Sequence, residues 1–221
     1  MEYSAAIDLS GNEAAFAVAC KASGNIVISS TRPMTGRNSA ALTPWVLELI
    51  NGQNIQLEHI TEWTVGSGPG SFTGMRLAAA LVAGITFGNT NIKTRCVPTA
   101  VALASVLQTS PGDSIAAVFD GRNSEILIFE LVNEAGEIIP AGRNDVLSAE
   151  DAGSFFNDRQ FTHLVALEKD HAAVAKVVDA DILAKFKLLE HISPEKLIFA
   201  QCSDWDNDLT DLVYIRPAVF T

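Results

Sequence analysis

The residues with the clearest capacity for chemistry form a glycine-rich segment, Gly66–Gly74, which reads GSGPGSFTG. Glycines let backbone N–H groups approach an anion closely, and a helix that begins there adds a favourable dipole. We therefore consider Gly68, Gly70 and Ser71 as candidates for contact with a phosphate or another anion. The alternative is a tight strand-to-helix turn in which the glycines serve close packing and contact no ligand.

Three well-known templates do not match this segment. A P-loop ends in Gly-Lys-Ser/Thr, whereas Met75 and Arg76 follow the last glycine here. The dinucleotide fingerprint requires a glycine where Ser71 stands, and a nucleophile elbow requires glycines at the positions of Pro69 and Thr73. The segment therefore does not predict catalysis by its own side chains.

Two aspartates, Asp8 and Asp120, each end an apolar stretch. Carboxylate oxygens are ligands for hard cations, so the pair could hold a metal-bound nucleotide if two lobes flank a cleft. Aspartate is also a common turn residue, and a turn role is open for both. The histidines are far apart and lack helical ligand spacing, so we expect no metal site in this chain. They are His59, His163, His171 and His191.

The composition favours a folded domain without disulfides. The chain has 221 residues, 48% hydrophobic and 19% charged, and a formal net charge of -11. This charge repels a phosphate backbone, so we expect any nucleic acid to be held by another protein; the charge serves either solubility or a basic partner. Three scattered cysteines, no basic N-terminal segment and no apolar run of membrane length predict a cytoplasmic location.

The order of predicted elements repeats. Each half begins with a three-stranded meander and continues with alternating helices and strands, β-β-β-α-β-α. We therefore predict an α/β actin-like ATPase fold, of the Hsp70 and sugar-kinase type, with lobes at residues 1–110 and 111–221. In the first lobe we predict helices over residues 38–50 and from Met75 to Phe87. In the first of these, Pro44 either kinks the helix or lies in its first turn with Thr43 as the cap. In the second we predict one helix within residues 170–186.

Four segments in order resemble the TsaB (YeaZ) family. The most specific is the nine-residue stretch Gly68–Arg76, followed by an alanine-rich helix. The strand ending at Asp8, the stretch Phe119–Ile126 and the closing stretch Leu212–Pro217 are also similar to family segments. The resemblance therefore extends over the whole chain. It departs from the family pattern at Arg37–Ala41, which leaves details of partner docking open.

The resemblance implies a non-catalytic protein with no cofactor of its own. It would dock on TsaD, the threonylcarbamoyltransferase that modifies the adenosine beside the anticodon of tRNAs reading codons that begin with A, and would work with the ATPase TsaE. ATP and metal would belong to these partners, and an isolated chain could form a homodimer. The residues expected to bind the partner are Asn38, Leu42, Trp45, Leu49, Thr73, Met75, Arg76, Ala79 and Ala83.

The resemblance also bears on the metal site of TsaD. That paralogue carries a His-x-x-x-His pair after the fifth strand, and the matching positions here are Thr99 and Leu103. Neither side chain can replace an imidazole on a metal. The remaining alternatives are an autonomous nucleotide-dependent phosphotransferase of the same fold and a homodimeric scaffold; a peptidase has no support from Ser-His-Asp or HExxH residues.

Overall fold

The computed structural model describes residues 1–34, 36–206 and 208–215. These residues form two compact units, the first containing Met1–Ala102 and Ser193–Val213 and the second Leu103–Ile192 and Tyr214 onward. The predicted division at residue 110 differs from this one, because the chain returns to the first unit after Ile192.

The first unit contains a five-stranded mixed sheet. Its elements are β1 (Tyr3–Asp8), β2 (Glu13–Cys20), β3 (Ile26–Pro33), α1 (Leu42–Gly52), β4 (Ile60–Gly66), α2 (Phe72–Thr86) and β5 (Lys93–Val97). The helix α3 (Thr99–Ala104) begins in this unit, and the boundary between the two units falls within it. The sheet order is β3-β2-β1-β4-β5, with an antiparallel meander over β1 to β3 and parallel pairing of β1 with β4 and of β4 with β5.

The second unit repeats this arrangement. Its elements are β6 (Ser114–Arg122), β7 (Glu125–Glu134), β8 (Glu137–Ser148), α4 (Ala149–Asp158), β9 (His163–Leu167), α5 (His171–Val174), α6 (Ala180–Leu183) and β10 (Phe186–Leu189). The sheet order, β10-β9-β6-β7-β8, is that of the first sheet. The predicted duplication is therefore confirmed.

Each sheet has an apolar core of its own. In the first unit the ring of Phe16 packs against Trp45 and Trp63, with ring centroids 6.4 and 6.2 Å apart. In the second unit Phe156 packs against Phe161 and Phe186. The central strand β1 is buried from Ser4 to Asp8, its carboxyl end included. The central strand β6 is buried from Ile115 to Phe119 but is exposed at Asp120 and Arg122, near its carboxyl end.

Several predicted elements differ in detail. Residues 170–186 contain two short helices rather than one, and the strand β10 and the helix α7 (Pro194–Ile198) were not predicted. The helix α1 begins at Leu42 after a 3-10 turn, so Thr43 lies inside it and is not its cap, while Pro44 lies in the first turn as expected. The residues Ser193–Val213, hereafter the C-terminal segment, belong to the first unit.

Candidate functional site

The best-organised polar cluster of the first unit surrounds Asp8, the last residue of β1. Its side chain is fully buried. One carboxylate oxygen, Oδ1, accepts hydrogen bonds from the backbone N–H and the hydroxyl of Ser10, both at 2.7 Å. The other, Oδ2, accepts a hydrogen bond from the hydroxyl of Thr99, the first residue of α3. A buried carboxylate needs such donors, and Asp8 receives them from its own unit.

The glycine segment closes against the same cluster. The N–H of Gly68 donates to the Thr99 hydroxyl at 3.1 Å, and the N–H of Thr99 donates to the Gly68 carbonyl at 2.6 Å. The N–H of Ser71 donates to the Ser10 carbonyl at 2.6 Å. The Ser71 hydroxyl caps α2 by accepting from the N–H of Gly74 at 3.2 Å. Several groups that could have faced an anion therefore have partners within the protein.

Close packing explains why glycines occupy this turn. A methyl group at Gly66 would collide with the Asp8 carboxylate, and one at Gly70 would collide with the backbone carbonyl of Ser10. The turn after β4 thus lies directly against the turn after β1. This geometry favours the tight-turn interpretation of the segment over contact with an anion.

Asp120 makes the same local contact in the second unit as Asp8 makes in the first. Its Oδ1 accepts a hydrogen bond from the N–H two residues ahead, that of Arg122, at 2.7 Å. The next turn residues are unusual, because Arg122, Asn123 and Ser124 all have left-handed backbone angles with φ of 60, 50 and 60°. Asp120 is exposed, however, so the resemblance to Asp8 is limited to the turn. A turn role accounts for both aspartates.

A buried carboxylate, Asp170, lies beside Asp120 in the second unit. It is 3% exposed and pairs with the ammonium of Lys169 at 2.7 Å. Burial raises the pKa of Asp170, the Lys169 charge opposes this, and the negative charge of Asp120 adds to it. Asp170 is not among the residues predicted from the sequence, because no pattern in the sequence marks a buried aspartate in a short helical turn.

Thr99 and Leu103, which occupy the positions matched to the paralogue's metal ligands, are both fully buried. Thr99 donates to Asp8, and Leu103 is the fifth residue of the same helix. Over residues 1–34, 36–206 and 208–215 we find no group of three or more His, Cys, Asp or Glu side chains arranged to hold a metal ion. The sequence does not reveal that Thr99 is the partner of Asp8, because the two residues are far apart in the chain.

The residues predicted to bind a partner fall into two groups. Leu42, Trp45 and Met75 are buried in the first unit and cannot form its surface, so their assignment as partner-binding residues is corrected. They lie on the buried faces of α1 and α2. Leu49 and Ala79 are half-buried against the core. Thr73, Arg76 and Ala83 are exposed, and the side chain of Asn38 lies outside the described part of the structure.

An exposed face runs along the whole of α2. Its buried face, carrying Met75, Ala78 and Val82, packs on the sheet. The opposite face, hereafter the α2 face, consists of exposed residues spaced three or four apart, which places them on one side of a helix. Its members are Thr73, Arg76, Ala80, Ala83 and Gly84. The helix ends at Thr86, and the side chain of the next residue, Phe87, is 90% exposed.

The C-terminal segment is held on the first unit by a buried cation, Arg95. Its guanidinium donates to the Thr64 hydroxyl and to the backbone carbonyls of Leu197, Ile198 and Ser203 at 2.8 to 3.2 Å. The ring of Trp205 stacks on it at 4.2 Å. Desolvation lowers the pKa of Arg95, yet an arginine keeps its charge. Further along, the Val213 N–H donates to the Ser67 carbonyl at 2.8 Å, which ties the segment to the glycine turn.

The repeated sheet order, with a meander and two parallel strands in each unit, defines a duplicated actin-like ATPase-type fold. The family model described as "TsaD: tRNA N6-adenosine threonylcarbamoyltransferase" matches residues 34–186, well over half of the chain. The chain therefore belongs to this family. Its resemblance to the TsaB (YeaZ) proteins is also confirmed by the relatives described next.

Three relatives illustrate the similarity. The tRNA threonylcarbamoyladenosine biosynthesis protein TsaB of Haemophilus influenzae is 26% identical over 94 residues, which are 42% of this chain and 39% of that protein. The solved structure of YeaZ from Pseudomonas aeruginosa has a TM-score of 0.69 and 21% identity, covering 89% of both chains. A second structure, of a protein with similarity to peptidase YeaZ from Pseudomonas aeruginosa, has a TM-score of 0.75 and 20% identity, covering 98% of this chain and 100% of that one.

Proposed function

We propose that this chain is a non-catalytic partner of the TsaD threonylcarbamoyltransferase in the formation of N6-threonylcarbamoyladenosine beside the anticodon of tRNA. It would bind TsaD through the α2 face and would assemble with the ATPase TsaE in the cytoplasm. Transfer of the threonylcarbamoyl group and consumption of ATP would be the work of these partners. The tRNA would be held by the complex and not by this acidic chain alone.

The observation that carries this proposal is the exposed α2 face. Alanines and a glycine leave the helix backbone accessible, which lets a second helix approach closely. The phenyl ring of Phe87, the residue that directly follows α2, adds an exposed apolar anchor. At Gly84 an added methyl group would meet no atom of the protein, so this part of the face is open. A helical surface of the partner fits such a face.

The cluster around Asp8 supports a non-catalytic role. A carboxylate that serves a bound metal or nucleotide must present oxygens to it. Both oxygens of Asp8 instead accept hydrogen bonds from Ser10 and Thr99, and the side chain is fully buried. Opening this cluster for a nucleotide would leave the Thr99 hydroxyl and the Gly68 N–H to find other acceptors. The geometry thus disfavours the alternative of an autonomous nucleotide-dependent phosphotransferase.

Calorimetry separates the two functions. Titration of purified TsaD into this chain is expected to give saturable heat with a defined stoichiometry, whereas titration of Mg-ATP into this chain alone is expected to give none. The reverse pattern, with tight Mg-ATP binding and turnover and no response to TsaD, would establish the phosphotransferase. Size-exclusion chromatography of the same samples would reveal a homodimer if one forms. A homodimer that does not bind TsaD would also contradict the proposal.

The residues described by the structure include no helix that is long and apolar enough to cross a membrane. The longest of them, α2, has 15 residues and carries the exposed face described above. A membrane partner is therefore not part of the proposal.

A further inference from the structure

A groove of about 480 Å³ lies beside the C-terminal end of α2 in the first unit. One wall is α2 with the loop that leads to β5, and the other is the C-terminal segment around Asp208. Ala83 lines the groove and also belongs to the α2 face. The groove therefore continues the surface on which we propose that TsaD docks.

The chemistry of the groove favours a cation. Asp208 is the one ionisable residue among the described residues that line it. Hydrogen bonds from the hydroxyl and the N–H of Thr210, at 2.6 and 2.7 Å, orient the Asp208 carboxylate and lower the pKa of Asp208. The carboxylate is thus ionised at neutral pH. The exposed side chains of Asp206 and Asp211, on the same segment, add further negative charge.

The lysine adjacent in sequence to two groove residues does not neutralise this charge. Lys93 lies between Ile92 and Thr94, which line the groove, and side chains alternate across a strand. Its positive charge acts instead on Glu62, the residue paired with it on β4, where it contributes to lowering the pKa of that carboxyl. Lys93 is therefore directed away from Asp208.

Asp208 sits on a well-anchored part of the chain. Leu209 and Leu212 pack against the apolar core of the first unit. Upstream, Trp205 stacks on the buried Arg95, and downstream Val213 bonds to the glycine turn. A carboxylate held in place before binding loses little freedom when a partner arrives, and this favours a specific charge pair.

We propose that this groove receives a lysine or arginine side chain of the protein that docks on the α2 face, and that its cationic group pairs with Asp208. The inference rests on the proposed docking of TsaD and names the chemistry of one of its contacts. Charges at the rim of an interface chiefly affect the association rate and its salt dependence, and they disfavour partners of the wrong charge. The pair with Asp208 therefore contributes selectivity for the partner as well as affinity.

The test compares the affinity of TsaD for the wild-type chain, Asp208→Asn and Asp208→Lys, measured by calorimetry at low and moderate salt. We expect Asp208→Asn to weaken binding about two- to fivefold and Asp208→Lys to weaken it about tenfold or more. The wild-type chain should also lose more affinity on addition of salt than Asp208→Asn does. Asp158→Lys, on an exposed residue at the end of α4, changes the net charge equally and should bind as wild type does.

The outcomes distinguish this inference from the proposed function. If the wild-type chain binds TsaD and both Asp208 variants bind equally well, the groove contact is wrong while the docking stands. If Asp158→Lys weakens binding as much as Asp208→Lys, a general effect of net charge explains the result and the groove contact is wrong. If the wild-type chain does not bind TsaD at all, the proposed function fails and this inference fails with it.

Discussion

The hydroxyl of Thr99 donates a hydrogen bond to the carboxylate of Asp8, a residue 91 positions earlier in the chain. This bond joins the end of β1 to the start of α3, and the N–H of Gly68 bonds to the same hydroxyl. Two turns and a helix start are thereby held around one buried carboxylate.

Replacing Thr99 with valine should destabilise the chain. Valine has nearly the same shape but removes the donor to Asp8 and the acceptor of the Gly68 N–H. Loss of hydrogen bonds to a buried charged group costs about 2 kcal/mol or more. Urea denaturation measures the change. Thr99→Ser keeps the hydroxyl and should lose much less, while Thr90→Val, at an exposed site, should be close to neutral. Equal stability of Thr99→Val and wild type would contradict the role of this bond.

Arginine on the α2 face should abolish association with TsaD and leave the fold intact. Ala83 is exposed, so Ala83→Arg should change the melting temperature little but lower the affinity for TsaD by more than about tenfold. Ala172→Arg, on an exposed position of α5, is the matched control. Ala79 is half-buried against the core, and Ala79→Arg should reduce stability as well. Calorimetry with circular dichroism separates the effects, and full binding by Ala83→Arg would exclude this face.

Removing the Arg95 guanidinium should detach the C-terminal segment. Cys96, next to Arg95, is 7% exposed, and burial together with the charges of Asp211, Asp206 and Asp208 raises its pKa to about 12. Arg95→Met loses four hydrogen bonds from a buried cation, at an expected cost of about 2–4 kcal/mol. Cys96 should then react faster with a thiol reagent, as measured by mass spectrometry of labelled peptides.

The control for this experiment is Arg32→Met, which changes an exposed arginine of β3 and should leave Cys96 protected. Unchanged protection of Cys96 in Arg95→Met would show that the segment is held mainly by its apolar contacts.

Asp170 should make stability depend on pH. Because burial raises the pKa of Asp170 above its unfolded value, the folded state favours the protonated form. This contribution is fully present below about pH 4 and is lost as the pH rises through the folded pKa. Asp170→Asn has no carboxyl group to titrate at this position. The free energy of unfolding of Asp170→Asn, relative to that of the wild type, should therefore increase between pH 4 and 7, with a slope no steeper than about 1.4 kcal/mol per pH unit. A difference that stays constant with pH would contradict the assignment. Asp158→Asn, at an exposed position, is the matched control.

The duplicated fold was predictable because strong local signals repeat. Each meander has apolar stretches separated by turn residues, and the alanine-rich α2 follows its glycines without interruption. The strand β10 was missed because it has four residues, and the helix α7 because it has five, too few for a periodic pattern. The return of the C-terminal segment depends on Arg95 and Trp205, whose contact joins residues 110 positions apart in sequence and has no local signature.

The candidate site was predictable in its position more than in its chemistry. The importance of Asp8 and the glycine segment followed from residue type, but their mutual contact and the role of Thr99 are products of tertiary structure. Residue type also misled the assignment of partner-binding residues. Leu42, Trp45 and Met75 have the apolar character of an interface and equally that of a core, and burial alone distinguishes the two.

The most direct test of a partner role is reconstitution of tRNA modification from purified components. We predict that this chain alone, supplied with tRNA, ATP, threonine-derived adenylate and metal, forms no threonylcarbamoyladenosine and does not consume ATP. With TsaD and TsaE present, omission of this chain or its replacement by Ala83→Arg should abolish product formation, and Ala172→Arg should support it. Modification of tRNA or sustained ATP hydrolysis by the chain alone would contradict the account.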